Sequence, residues 1–152
     1  MIKINDTAPD FELKDQSGNT VSLTSLTEKG DVIVYFYPAD FSPVCTAQTC
    51  SFRDNFAGLE TAGVRIVGIS PQSFASHQRF ADTFSIPFPL LSDPDKQAVR
   101  AFGVDGPFGI GVRRATFLID RNKVVRSRVV SDLFLSSHSD LIRETIKGRE
   151  AA

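Results

Sequence analysis

The apolar positions of this chain fall into two periodicities. Val32 to Tyr37 is an unbroken apolar run and Val64 to Ile69 is nearly one, the pattern of fully buried strands. Phe11-Glu12-Leu13 and Thr20-Val21-Ser22-Leu23 alternate instead around the turn cluster Asp15 to Asn19, which predicts a small hairpin. Phe52, Phe56 and Leu59 recur at i, i+4, i+7. They predict one amphipathic helix that begins near Pro43 and ends between Gly58 and Gly63. After Ser70-Pro71 breaks the second strand, Phe74, His77, Ala81 and Phe84 predict another helix. Phe88 to Asp93 predicts a short strand running into a helix capped by Asp93, begun by Pro94 and stopped at Gly103, with Ala98, Val99 and Phe102 on its apolar side. Thr116 to Asp120 and Lys123 to Val130 predict a hairpin turning at Arg121-Asn122. Ser139 to Lys147 predicts a last helix, closed by Gly148, with Leu141, Ile142, Thr145 and Ile146 inward.

Strands that alternate with helices predict an α/β fold, a sheet with helices on both faces. Parallel β-α-β units followed by an antiparallel hairpin and a final helix resemble the thioredoxin-like arrangement. Here it carries an N-terminal β-hairpin extension on a central mixed sheet flanked by helices. Without repeats or a long linker, residues 1–152 read as a single domain. Seventeen basic and 18 acidic residues give a net charge of −1, which argues against a nucleic-acid footprint or a polybasic membrane patch. No apolar run approaches the roughly 18 residues of a membrane span. Met1 to Asp6 holds no apolar signal core, so a cytoplasmic location is expected. In that compartment two cysteines read as free, catalytic or redox-active. Two cysteines and two scattered histidines lack metal-ligand spacing, and no nicotinamide or flavin fingerprint is present, so neither metal nor cofactor is expected.

Both cysteines lie in Tyr37 to Arg53, YPADFSPVCTAQTCSFR. With Pro43 in the first turn, Cys45 falls near a helix N-terminus, where unpaired N–H groups and the dipole favour a negative sulfur. The thiolate is the nucleophilic form, expected here at a pKa below the free value of about 8.5. Cys45 shares the core-facing side with Phe52, seven residues on, whereas Cys50 lies about 140° around at ~100° per residue. Their Cα atoms would be about 8–9 Å apart, beyond the ~7 Å reach of a disulfide, so a bond between them requires local unwinding. Ser42 offers a hydroxyl three residues before the sulfur, and Pro38 and Pro43 shape a rigid loop. Of Arg113 and Arg114, adjacent on a strand, one can turn inward; a guanidinium there would favour the Cys45 thiolate. Arg53 is a second candidate for that neighbourhood. His77, on an apolar stripe, reads as a partly buried helix histidine with a satisfied ring, the alternative being a base near the thiolate. His138 reads as a solvated surface residue. Gly103 to Gly111 lacks the spacing of a phosphate loop and reads as a connector or a flexible wall of the site.

Pro38, Ser42 and Cys45 stand as Pro-x-x-x-Thr/Ser-x-x-Cys, which resembles the active-site motif of the peroxiredoxins. Cys50, five residues on and followed closely by Phe52-Arg53-Asp54, resembles the Q-type (bacterioferritin comigratory protein) subfamily. The opening Ala8-Pro9-Asp10-Phe11-Glu12-Leu13 is similar to that family's N-terminal hairpin. Arg114 precedes Ala115-Thr116-Phe117-Leu118-Ile119-Asp120 as the family's arginine precedes a like run. The resemblance covers nearly the whole chain. It implies a thiol-dependent peroxidase acting on hydrogen peroxide and organic hydroperoxides without metal or organic cofactor. Carried over, Cys45 is the peroxidatic cysteine, Cys50 the resolving cysteine, Ser42 the hydroxyl partner and Arg114 the charge partner, with Pro38 in the loop. An intramolecular disulfide, a thioredoxin- or glutaredoxin-like reductant and a monomer or weak homodimer are implied with them. Three departures stand out: Val44 where glycine is frequent, Gln48 where an acid is common, and a short Gly103–Gly111 loop. Three other readings stay open. A one-cysteine peroxidase would be resolved by an external thiol. A disulfide reductase is opposed by the lack of Cys-x-x-Cys. A non-enzymatic binding or holdase protein on the thioredoxin fold would not need Cys45.

Overall fold

The longest apolar run becomes the middle of the molecule. In a computed structural model, which describes residues 1–131 and 135–150, Val32–Phe36 forms β3, and every residue of it is buried. The strands are β1 (Glu12–Lys14), β2 (Thr20–Ser22), β3, β4 (Arg65–Ser70), β5 (Leu90–Ser92), β6 (Ala115–Ile119) and β7 (Val125–Val130). They form one seven-stranded sheet in the order β2-β1-β5-β4-β3-β6-β7. β3, β4 and β5 are parallel, β6 runs antiparallel beside β3, and β7 runs antiparallel to β6. The N-terminal hairpin β1-β2 joins the other edge through β5. The helices are α1 (Leu23–Thr27), α2 (Pro43–Asp54), α3 (Phe56–Thr61), α4 (Phe74–Phe84), α5 (Gln97–Ala101) and α6 (Leu135–Glu150).

A strand's side chains alternate between faces, so β3 serves two cores. Val32, Val34 and Phe36 pack on the layer that contains Leu23, Phe102 and Phe117. Ile33, Tyr35 and Tyr37 pack on the layer that contains Cys45, Phe52, Phe80 and Ile142. The second layer is built from α2, α3, α4 and α6, and the candidate chemistry lies there. Gly68 is required by this packing: a Cβ on it would stand 2.7 Å from Cζ of the Tyr35 ring.

Several boundaries differ from the sequence expectation, each for a local reason. The helix expected to run from Pro43 past Leu59 is two helices. The Asn55 side-chain amide donates to the Ser51 carbonyl at 2.9 Å, while the Asn55 backbone N–H turns to Phe52. Side-chain competition of this kind breaks a helical ladder. Leu23 opens α1 rather than ending a strand, because Ser22 and Ser25 exchange side-chain and backbone hydrogen bonds in a capping box. The helix expected from Pro94 starts at Gln97. Asp93 still caps it from a distance, its carboxylate accepting from the N–H groups of Gln97 and Val99. The last helix begins at Leu135 instead of Ser139. The Gly103–Gly111 stretch is tied by a bridge between Asp105 and Val112 and by a short 3-10 turn at Pro107–Gly109. Among the described residues no helix is long and apolar enough to cross a membrane, and no cluster of potential metal ligands is present.

Candidate active site

The register of β3 against β6 brings the candidate charge to the candidate nucleophile. Phe36 pairs with Ala115, so Arg114 enters β6 beside the end of β3, where the chain leaves for the loop that leads to Cys45. Arg114 is buried and Arg113 is exposed. The Arg114 guanidinium donates from Nη2 to Cys45 Sγ at 3.2 Å. Its Nη1 donates to Gln48 Oε1. Gln48 follows Cys45 by three residues and so shares its face of α2. Its side chain holds the planar fork that points at the sulfur, a geometry available to Arg and not to a point-charged Lys. The guanidinium thus meets the sulfur directly, in a site closed to solvent.

Cys45 is 1% exposed, in the third helical position of α2. Ser42 is the N-cap: its Oγ accepts from the Cys45 N–H at 3.3 Å and donates to the Ala39 carbonyl. These bonds engage the hydroxyl with the backbone of the loop rather than with the sulfur. Pro43 occupies the first helical position, and Pro38 is half-buried in the loop. Cys50 lies on the same helix, half-buried, and both cysteines are free thiols. Beside it Ser51 Oγ meets Ser139 Oγ of α6 at 2.8 Å.

Arg53, the second candidate, is placed elsewhere: Nη1 donates to the Phe84 carbonyl and Nη2 pairs with Asp54. His77 is fully buried, more deeply than expected. Nδ1 lies 2.7 Å from Asp40 Oδ2, and Nε2 lies 3.1 Å from the Leu91 carbonyl. Its ring is occupied in this way and none of these bonds reaches Cys45. The reading of His138 as solvated is overturned. It is fully buried, with Nδ1 2.6 Å from Thr116 Oγ1 and Nε2 2.9 Å from the Ser131 carbonyl. It precedes Leu141 by three residues and so lies on the inward stripe of α6, which starts one turn earlier than the sequence suggested.

Two residues at the site were not singled out in the sequence. Asp40, in the loop itself, has a fully buried carboxylate that accepts from the hydroxyls of Tyr37 and Ser76 and pairs with His77. Burial pushes this carboxyl up, but the hydrogen bond and charge of His77 and the two hydroxyls outweigh it and hold it below the ordinary range. Burial, with the nearby Tyr35, Asp40 and Cys45, pushes the Tyr37 phenol well up, so it stays a donor. Phe41 next to Asp40 has φ +63, the left-handed region, at a cost of about 1–2 kcal/mol for a residue with a side chain. Its ring packs edge-on against Phe80 and tilted against Phe84 of α4.

The family model AhpC/TSA matches residues 4–128. A peroxiredoxin Q, chloroplastic, of Sedum lineare is 42% identical over 93% of this chain and 74% of its own length. The protein of the same name from Arabidopsis thaliana is 41% identical over 95% of this chain and 66% of its own length. Thus the chain spans between about two thirds and three quarters of these two relatives. Among solved structures, the peroxidoxin BcpB of Mycobacterium tuberculosis superposes with a TM-score of 0.90 at 34% identity, covering 97% of this chain and 98% of that one. The bacterioferritin comigratory protein of Xanthomonas campestris, described with an alkyl peroxide reduction activity, gives 0.83 at 28% identity over 91% and 90%. A buried cysteine at a helix start, faced by an arginine on the thioredoxin-like sheet of these relatives, belongs to a thiol-dependent peroxidase: the chain is a member of the AhpC/TSA family, a peroxiredoxin of the Q type.

Proposed function

We propose that this chain reduces hydroperoxides by a two-cysteine cycle in which Cys45 is oxidised and Cys50 resolves it. The observation that carries this reading is the Arg114 guanidinium 3.2 Å from Cys45 Sγ at the N-terminal end of α2. The Cys45 thiolate attacks the terminal oxygen of the peroxide. An S–O bond forms, the O–O bond breaks, and the leaving oxygen takes a proton to depart as water or an alcohol. Sulfur is oxidised by two electrons to the sulfenic acid and the peroxide is reduced by two. Arg114 supports the thiolate and then the charge that develops on the peroxide oxygens. The start of α2 unwinds, the Cys50 thiolate attacks the Cys45 sulfur, and water leaves as an intramolecular disulfide forms. A thioredoxin- or glutaredoxin-like dithiol returns the two electrons by thiol exchange.

Intact mass after one equivalent of hydrogen peroxide tests the cycle on wild type, Cys45→Ser and Cys50→Ser. Expected are the loss of two hydrogens in wild type, a trapped sulfenate in Cys50→Ser, and no change in Cys45→Ser. An unreacted wild type overturns the reading. Full turnover of Cys50→Ser with thioredoxin would assign resolution to an external thiol instead.

A further inference from the structure

Hydrogen-bond chemistry around His77 determines more than its place in the core. Nδ1 lies 2.7 Å from the Asp40 carboxylate, and Nε2 lies 3.1 Å from the Leu91 carbonyl. A backbone carbonyl can only accept, so Nε2 carries a proton. The Asp40 carboxylate already receives the Tyr37 hydroxyl on Oδ1 at 2.7 Å and the Ser76 hydroxyl on Oδ2 at 2.7 Å. Both hydroxyls donate to the carboxylate, which favours its ionised, accept-only form and makes Nδ1 the donor of the 2.7 Å bond. The Tyr37 hydroxyl, 3.4 Å from Nδ1, is spoken for by Asp40. The groups that face this pair come from three places: Asp40 and Tyr37 from the end of β3 and its loop, Ser76 from α4, and the Leu91 carbonyl from β5. Both side chains of the ion pair are fully buried.

Asp40 stands five residues before Cys45, in the loop whose Phe41 is held in the left-handed region. Resting on the two-cysteine reading above, we propose that Asp40 and His77 are positioning residues for Cys45: a buried carboxylate–imidazolium latch that fastens the peroxidatic loop to α4 and β5. It keeps the sulfur on Arg114 for the first step and is released when α2 unwinds for the second. Neither residue touches the sulfur or the peroxide. Their effect passes through loop geometry, where a displacement of about 1 Å can cost roughly 100-fold in rate.

The charge state and the coupling to the two steps are tested separately. In wild type, ¹⁵N NMR of the His77 ring at pH 7.5 is expected to show both nitrogens protonated; a neutral ring overturns the proposal whatever the variants do. Asp40→Asn and His77→Ala are expected to slow sulfenate formation roughly 10- to 100-fold without slowing disulfide formation from the sulfenate. His77→Asn, whose amide takes the Nδ1 place, keeps the bond to Asp40 without the charge and should fall between His77→Ala and wild type. Equal slowing of both steps, or a lowered unfolding midpoint with both rates unchanged, would make the pair merely structural and overturn the latch. Failure of the two-cysteine reading is distinct from either: wild type itself would not be oxidised.

Discussion

The two ends of α2 are held by different kinds of bond. At the Cys45 end the ties are charged and come from distant parts of the chain. Arg114, just before β6, reaches both Cys45 and Gln48, and Asp40 fastens the preceding loop to His77 and Ser76 of α4. At the Cys50 end the tie to α6 is neutral, one hydroxyl meeting another at 2.8 Å between Ser51 and Ser139. Asn55 ends the helix one turn beyond Cys50 by bonding back to Ser51. Charge-assisted hydrogen bonds are about twice as strong as neutral ones. The charged ties thus gather at the Cys45 end, and the Cys50 end has one hydroxyl pair and the Arg53 bond to the Phe84 carbonyl. The difference teaches what the unwinding proposed at the start of α2 has to overcome: the charged ties around Cys45.

The largest effect expected of any change to this asymmetry is at Arg114. Arg114→Gln removes the charge that faces Cys45 and should lower the rate of sulfenate formation by about 10²–10³-fold, the scale of losing an oxyanion donor. Arg114→Lys should recover only part of it, because an ammonium cannot hold the Gln48 oxygen and aim at the sulfur together. Gln48→Leu, which removes one anchor of the guanidinium and keeps its charge, should cost less than Arg114→Gln. Quenched-flow mass spectrometry reads all three, and a rate within threefold of wild type for Arg114→Gln would break the contrast between the ends.

A smaller effect belongs to the other end. Ser51→Ala deletes the hydroxyl tie to α6, a neutral bond worth about 0.5–1.5 kcal/mol. If that tie restrains unwinding, its loss should speed disulfide formation by roughly 2- to 10-fold and leave sulfenate formation unchanged. Disulfide formation that is slowed would mean that the tie guides Cys50 to its target instead of delaying it.

Much of this was legible in the sequence, and the parts that were not share a cause. The strands at Val32 and Val64, the proline that opens α2, and the choice between Arg113 and Arg114 all rest on local periodicity or on a motif, and local signals survive in a linear reading. His138 is not legible because its burial depends on α6 beginning at Leu135, one turn before the Ser139 start that the sequence suggests. Asp40 is not legible because a single acid in a loop is ordinarily solvated. Only the fold brings Ser76, His77 and Tyr37 around it, and His77 lies 37 residues away in the chain. The Asn55 break was hidden because Phe52, Phe56 and Leu59 keep helical spacing across it. Non-local hydrogen bonds of single polar residues leave no pattern to read.

Ser42 carries the smallest effect and the sharpest division between readings. Its hydroxyl accepts from the Cys45 N–H and donates to the Ala39 carbonyl, which is the work of a helix cap. As a cap alone, Ser42→Ala should cost about 1 kcal/mol of stability, a fall of about 2–4 °C in Tm for a chain of this size. Ser42→Asn, a cap as good as serine, should restore the Tm. A hydroxyl that also handles the peroxide predicts something more: both variants would lose peroxidase rate together, with the Asn variant stable and slow. If Ser42→Asn regains stability and rate in parallel, serine is there to start the helix, and the charged end of α2 owes its chemistry to Arg114 alone. If stability returns without the rate, the hydroxyl turns from Ala39 to the substrate during the first step, and the loop that the Asp40 carboxylate holds must leave room for that rotation.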